Sequence, residues 1–319
     1  MRNMKNNFTI AALALLCLGV VLVSTALAAN PPTNADELVA QHLDSIASPA
    51  VRAGLKSRVA QGPVHFTILV GGAGNIDGKA VVVSEGKRLQ FMIKLPNNEY
   101  RGEQFIFNGE KDSVAFSSNR QTRSSLGNFV LVQDAVVREG LVGGVLSTAW
   151  PLLNLDERKP KLSFDGLKKI DGQELYALRY RPHKNSDLEI TLYFDPQTYR
   201  HVETVYSLTS SENFANFSPS TAVGTPPTSS GGPSGQATGS TLGIGTAETA
   251  AARQFQNRYR LRERFSDFKT VDGVTLPTQD NIEFSQELQN GRTTLWEWAI
   301  KGLEVSNNIG IDARAFEVK

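Results

Sequence analysis

Residues 34–46 carry the pattern of an amphipathic helix. Leu38, Val39, His42, Leu43 and Ile46 share one face, and Asn34 with Glu37 three places on forms a capping box. Ser48-Pro49 marks a second start, and Val51, Leu55 and Val59 recur every four residues opposite Arg52 and Lys56, which predicts a helix reaching Val59. From Val64 the period falls to two. Leu89, Phe91, Ile93 and Leu95 alternate with Arg88, Gln90, Met92 and Lys94, and Leu188, Ile190, Leu192 and Phe194 with Asp187, Glu189, Thr191 and Tyr193. These are strands with one apolar and one polar face. Turn signals punctuate them: "NIDGK" (75–79), "FNGEKD" (107–112), "KIDGQE" (169–174), "FDPQT" (194–198) and "TVDGVT" (270–275). The spacing predicts about ten antiparallel strands in one curved sheet, an α+β, mainly β, fold.

Two stretches break the alternation. Residues 126–155, "LGNFVLVQDAVVREGLVGGVLSTAWPLLNL", are too apolar for a loop. Phe129, Val132, Val136 and Val137 fit one helix face, Gly140, Gly143 and Gly144 interrupt, and Val145, Leu146, Trp150, Leu152 and Leu153 follow. The pattern predicts two short helices joined by a glycine break and packed on the sheet's concave side, as plain core or as a moving lid with the glycines as hinge. Residues 215–247 are Ser, Thr, Gly and Pro with no charge, which predicts a disordered insertion in a single domain spanning 29–319, or a linker between two.

Composition then sets the compartment. Residues 1–28 have a basic start (Arg2, Lys5), an apolar run and a small-residue end at Ala26-Leu27-Ala28, the form of a secretory signal cleaved after about Ala28, with an uncleaved anchor as the alternative. Cys17, the only cysteine, falls inside it, so the exported chain would rely on its core and not on disulfides. Losing Arg2 and Lys5 from 33 basic residues leaves 31 against 32 acidic, which offers no general attraction for nucleic acid. No later apolar run is long enough to span a membrane.

The residues give catalysis little to use. The four histidines (His42, His65, His183 and His201) have no metal-ligand spacing, so no metal or cofactor is expected. There is no nucleophile elbow, "GGAGNIDG" (71–78) lacks the lysine of a phosphate loop, and the carboxylates at 165, 171 and 272 belong to turns. The chain is therefore read as a non-enzyme. One polar pattern stands out: in "RYRLRERF", Arg258, Arg260, Arg262 and Arg264 take every second place. They form either a stripe for an anion or an acidic partner, or a charge ladder with Glu283 and Glu287 on the next strand.

The signal, the N-terminal helices, the strands with Asp-Gly turns, the apolar interruption and the closing "FSDFKTVDGVTLP" together resemble the outer membrane lipoprotein-sorting or carrier family, LolA-like. "LYFDPQTYRHVETVY" (192–206) and the terminal "NIGIDARAFEVK" are similar to segments of that family. The resemblance covers most of 34–319 outside the low-complexity stretch. It implies an unclosed antiparallel half-barrel around a helical lid, periplasmic and monomeric, sheltering lipid or lipoprotein acyl chains and meeting a protein partner at the inner or outer membrane. On that model Phe91, Ile93, Phe129, Leu141, Leu146, Trp150, Leu192 and Phe194 line the cavity and Gly140, Gly143 and Gly144 form the hinge. The alternative on the same fold is a cell-envelope interaction or stress-sensing module that transports nothing.

Overall fold

The computed structural model describes residues 31–115, 123–182, 186–214 and 256–318. The expected signal, the stretch 215–247 and His183 lie outside them. Residues Pro32–Lys319 form one compact unit. Helix α1 (Ala35–Ile46) starts at the predicted capping box: Asn34 Oδ1 accepts from the Glu37 amide at 2.9 Å and Asn34 Nδ2 donates to Glu37 Oε1 at 2.9 Å. Helix α2 (Pro49–Gly54) is capped by Ser48 but stops five residues short of the expected Val59. The reason is pairing: the chain enters strand β1 (Ser57–Val70), and the segment 58–61 is taken up by a strand on each side. Tertiary pairing overrides the helical spacing here.

Among the described residues thirteen strands form one sheet, against the ten or so expected. After β1 come β2 (Asn75–Glu85), β3 (Arg88–Lys94), β4 (Gly102–Phe107), β5 (Asp112–Val114), β6 (Lys161–Ile170), β7 (Gln173–Arg181), β8 (Glu189–Phe194), β9 (His201–Ser210), β10 (Asn257–Val271), β11 (Val274–Glu287), β12 (Thr293–Lys301) and β13 (Glu304–Asn307). The order is β5-β4-β3-β2-β1-β12-β11-β10-β9-β8-β7-β6, with β13 paired to the start of β1 and every pairing antiparallel. Among the described residues β5 and β6 remain as edges, so the sheet is the expected unclosed half-barrel. Its chain ends meet in the middle, where β1 pairs β12 with Phe66 opposite Trp298. In β6 a register shift between Phe164 and Leu167 accommodates Gly166 at φ 72°.

The Asp-Gly turns at 171–172 and 272–273 form as predicted, with φ 47° and 88° in the first and 53° and 76° in the second. The expected turn at 75–79 does not form. Those residues lie inside β2, paired with β1 from Thr67 to Pro63, and the reversal falls earlier, where Gly71 and Gly74 have φ 86° and 150°. Gly78 is instead a packing glycine, since a β-carbon there would collide with the Lys94 carbonyl.

Candidate functional site

Inward side chains of the sheet and residues 123–158 together fill the half-barrel. The covering segment has helices α3 (Ser125–Val132), α4 (Ala135–Arg138) and α5 (Leu155–Arg158), with 3-10 turns at Gly144–Leu146 and Pro151–Asn154. This corrects the expectation of two helices about a break: beyond the glycines the chain is irregular. Val132, expected on the inner helix face, is 49% exposed. Gly140 and Gly144 have φ 70° and 49°, and a β-carbon would collide with the Ala149 carbonyl at the first and sit 2.8 Å from Phe265 Cζ at the second. Gly143 also has a left-handed φ of 77°, and a β-carbon there would rest in ordinary contact with Val82 and Phe91 without collision.

An irregular buried backbone must find its hydrogen bonds elsewhere. Here short turns within the segment supply some of them, among them Gly144 N–H to the Leu141 carbonyl at 3.0 Å, and side chains supply others. Glu263 Oε1 accepts from the Gly143 amide at 3.3 Å, Ser84 Oγ accepts from the Thr148 amide at 2.8 Å, and Arg58 Nη1 donates to the Val145 carbonyl at 2.6 Å. Arg158 Nη2 donates to the Ala149 carbonyl at 3.0 Å, and Trp150 Nε1 donates to His42 Nε2 at 3.2 Å. Burial lowers the Arg58 guanidinium to about 10, which leaves it charged at neutral pH.

All eight candidate lining residues fall in the one apolar core: Phe91 and Ile93 on β3, Leu192 and Phe194 on β8, and Phe129, Leu141, Leu146 and Trp150 on the cover, each at most 2% exposed. Sheet and cover press these residues into direct burial. At one end of the interior Phe129 packs on Phe284 (ring centroids 5.4 Å), Phe214 and Tyr259, closing that mouth with aromatic rings.

The interior also holds polar groups that the sequence reading passed over. Glu263 shares the inward face of β10 with Tyr259, Leu261 and Phe265, and Asp280 shares that of β11 with Ile282 and Phe284; both are fully buried. Phe265 pairs Asp280 and Glu263 pairs Ile282, so the carboxyls are diagonal neighbours. Tyr206 donates to Glu263 at 3.5 Å, while among the described residues neither Asp280 oxygen has a hydrogen-bond partner. Burial, and for Glu263 also the charge of Asp280, pushes both carboxyls well above the usual range. Their signal was strand parity: Glu263 stands at an inward position between two apolar ones.

Glu103 is the third buried carboxyl, accepting from Tyr100 at 2.7 Å and from the α3 cap Ser124 at 2.6 Å, and burial raises it to about 7. The histidines at 42 and 201 meet around Trp150, whose ring lies 4.5 Å from that of His201. His42 Nδ1 faces the Tyr199 carbonyl at 3.0 Å and Nε2 faces the Trp150 N–H, so both neighbours demand the neutral Nδ1–H tautomer. Burial lowers His42 to about 4 and places His201 well below its ordinary value.

The four arginines lie on the outer face of β10 in the alternation predicted, and most are paired. Arg262 binds Glu203 through Nε and Nη2 at 2.7 and 2.8 Å and Asp171 at 2.6 Å, Arg264 pairs with Glu283, and Arg258 with Glu287 at 3.5 Å. Arg260 makes no ion pair among the described residues. Arg262 and Arg264 border an outer groove of about 660 Å³ with Asp171, Asn281, Glu297 and Lys301, where the charge is mixed.

No protein-family model matches the chain, and no curated protein matches it. Solved structures do. A DUF1329 family protein from Desulfovibrio piger is similar over 88% of this chain and 96% of its own, at 12% identity and a TM-score of 0.44. A LolA superfamily protein from Nitrosomonas europaea matches over 90% and 98% at 14% identity and 0.41. An outer membrane lipoprotein-sorting protein domain, so described, from Vibrio parahaemolyticus matches over 87% and 97% at 10% identity and 0.41. All three likenesses are of fold alone. They include the lipoprotein-sorting type that the sequence resembles.

Proposed function

We propose that this chain is a periplasmic, non-enzymatic carrier of lipid or lipoprotein acyl chains, taken up between the concave face and the 123–158 cover. The observation that supports it is the way the cover is held. Its backbone between Gly143 and Thr148 is pinned by single side chains from β1, β2 and β10, over a continuous apolar face. Release of those bonds bares Phe91, Ile93, Leu192 and Phe194 on the sheet and Leu141, Leu146 and Trp150 on the cover. An acyl chain replaces the lost burial at about 0.8 kcal/mol per methylene. The glycines at 140, 143 and 144 are the hinge of this reading. Among the described residues no helix is long and apolar enough to cross a membrane.

The test is a disulfide clamp. The chain has no cysteine besides Cys17, and Ser84 Oγ lies 2.8 Å from the Thr148 amide, so Ser84→Cys with Thr148→Cys ties cover to sheet. The oxidised double variant should take up no fluorescent fatty acid and regain uptake on reduction. Uptake that ignores the clamp removes the cover from the mechanism. Native mass spectrometry of protein from an exporting host should show bound lipid that denaturation releases.

The packed interior favours a second reading, an envelope interaction module with a filled core. A clean ligand-free mass, with no uptake by the reduced protein, selects it.

A further inference from the structure

At the mouth of the half-barrel, three inward positions carry buried polar atoms with nothing to bond. Among the described residues Gln286 Oε1, Thr294 Oγ1 and Trp296 Nε1 have no hydrogen-bond partner, and their residues are 2%, 1% and 1% exposed. Gln286 pairs directly with Thr294 across β11 and β12, and Trp296 lies two residues along β12 on the same face, so the three occupy adjoining places on one pleat. Above this patch are the aromatic contacts that close the mouth: Phe284 packs on Trp296 at 5.8 Å and Phe129 on Phe284. An unpaired buried donor or acceptor costs free energy in the closed protein, and three together are an anomaly in a well-packed core.

Resting on the carrier reading, we propose that Gln286, Thr294 and Trp296 are the subsite for the polar linkage of the acylated ligand, and that they select a secondary amide. The inventory of atoms specifies the complement. The indole N–H and the threonine O–H donate, which suits a carbonyl oxygen, and Gln286 Oε1 accepts, which suits an amide N–H. An ester satisfies the two donors and leaves the acceptor bare. No cation is among the three groups, so a carboxylate would be buried there without a counter-charge. The chain of the ligand then runs inward over Phe284 toward the apolar floor while the substituent on nitrogen leaves through the mouth.

The experiment measures binding of N-methyldodecanamide, methyl dodecanoate, dodecanoate and dodecane to the wild-type protein and to Thr294→Val and Gln286→Met. Both substitutions keep volume and remove an unpaired polar atom, so the ligand-free melting temperature should hold or rise. The wild type should rank amide above ester, with dodecanoate and dodecane weaker. Each variant should weaken the amide roughly tenfold while leaving dodecane unchanged, the loss of one hydrogen bond. Gln286→Met should leave the ester unchanged. Equal affinity of the wild type for amide and dodecane, or variants that weaken both alike, overturns the subsite and leaves the carrier intact. Failure of the wild type to bind any of the four overturns the carrier reading and the subsite with it.

Discussion

In the centre of β1, residues 64–67 are laddered to β2 on one side and β12 on the other, whereas the amides of Gly143 and Thr148 in the cover are bonded to the side chains of Glu263 and Ser84. Both regions are buried and both satisfy their backbone. The difference lies in what must break to move them. Opening the sheet at β1 severs two ladders at once, while between Gly143 and Thr148 the cover's hydrogen bonds to the sheet each run to a single side chain. Regular and irregular burial thus give a laddered wall and a filling bonded through side chains, and substitutions should separate the two.

The largest effect is expected at the wall. Arg262→Met strips Glu203 of both its hydrogen bonds and leaves a buried carboxylate uncompensated, at a cost of about 3 kcal/mol. Denaturant unfolding should show a lower midpoint with one transition. Hydrogen exchange that rises only in residues 139–150 would contradict the contrast.

Arg58→Met is the matching change under the cover, removing the bonds to the Val145 carbonyl and to Asn307 at about 2 kcal/mol. Exchange should rise selectively in residues 143–148 while the centre of β1 stays protected, and uptake of a fluorescent fatty acid should quicken. Uniform loss of protection would make sheet and cover one cooperative unit.

Titration gives a graded form of the same test. Glu103, raised from 4.5 to about 7, holds its proton more tightly when folded. Its stabilisation is complete below 4.5 and is lost as pH rises through about 7; Glu263 and Asp280, also raised, act in the same direction. His42, lowered from 6.5 to about 4, acts oppositely: its contribution is present above 6.5 and lost as pH falls through about 4. The two trends oppose between 4.5 and 6.5, and above 6.5 the carboxyls act alone. Melting temperature should therefore fall by several degrees from pH 6.5 to 9. Glu103→Gln should reduce the slope, and a flat profile in the wild type would show these carboxyls to be solvated.

The smallest effect belongs to Arg260→Ala, within about 0.5 kcal/mol, since that exposed side chain has no ion pair among the described residues to lose. If the stripe binds an anion, this substitution weakens binding with stability unchanged, a separation that Arg262 does not permit.

The wall was legible in the sequence and the filling was not, for the same physical reason. Strands write a period of two into the chain, so Phe91 and Ile93 or Leu192 and Phe194 reveal their faces without knowledge of their neighbours. Side-chain-anchored backbone has no period: Val145 to Trp150 fits a helix in composition, but its bonds go to Arg58 and Ser84, far away in sequence. The turn misplaced at 75–79 has a similar origin, because Gly78 reflects the closeness of Lys94 and not a reversal. Glu263 and Asp280 were readable by parity alone, and were missed because an inward carboxyl runs against the expectation that such positions are apolar.

Among the described residues β6 pairs with β7 alone, and its other edge has a consequence for life at high concentration. An open sheet offers its last strand as a template on which a second chain could add. β6 spoils that template with the kink at Gly166 and with Lys161, Lys168 and Lys169 along its length. A sheet left unclosed at this strand is thereby kept from polymerising through it.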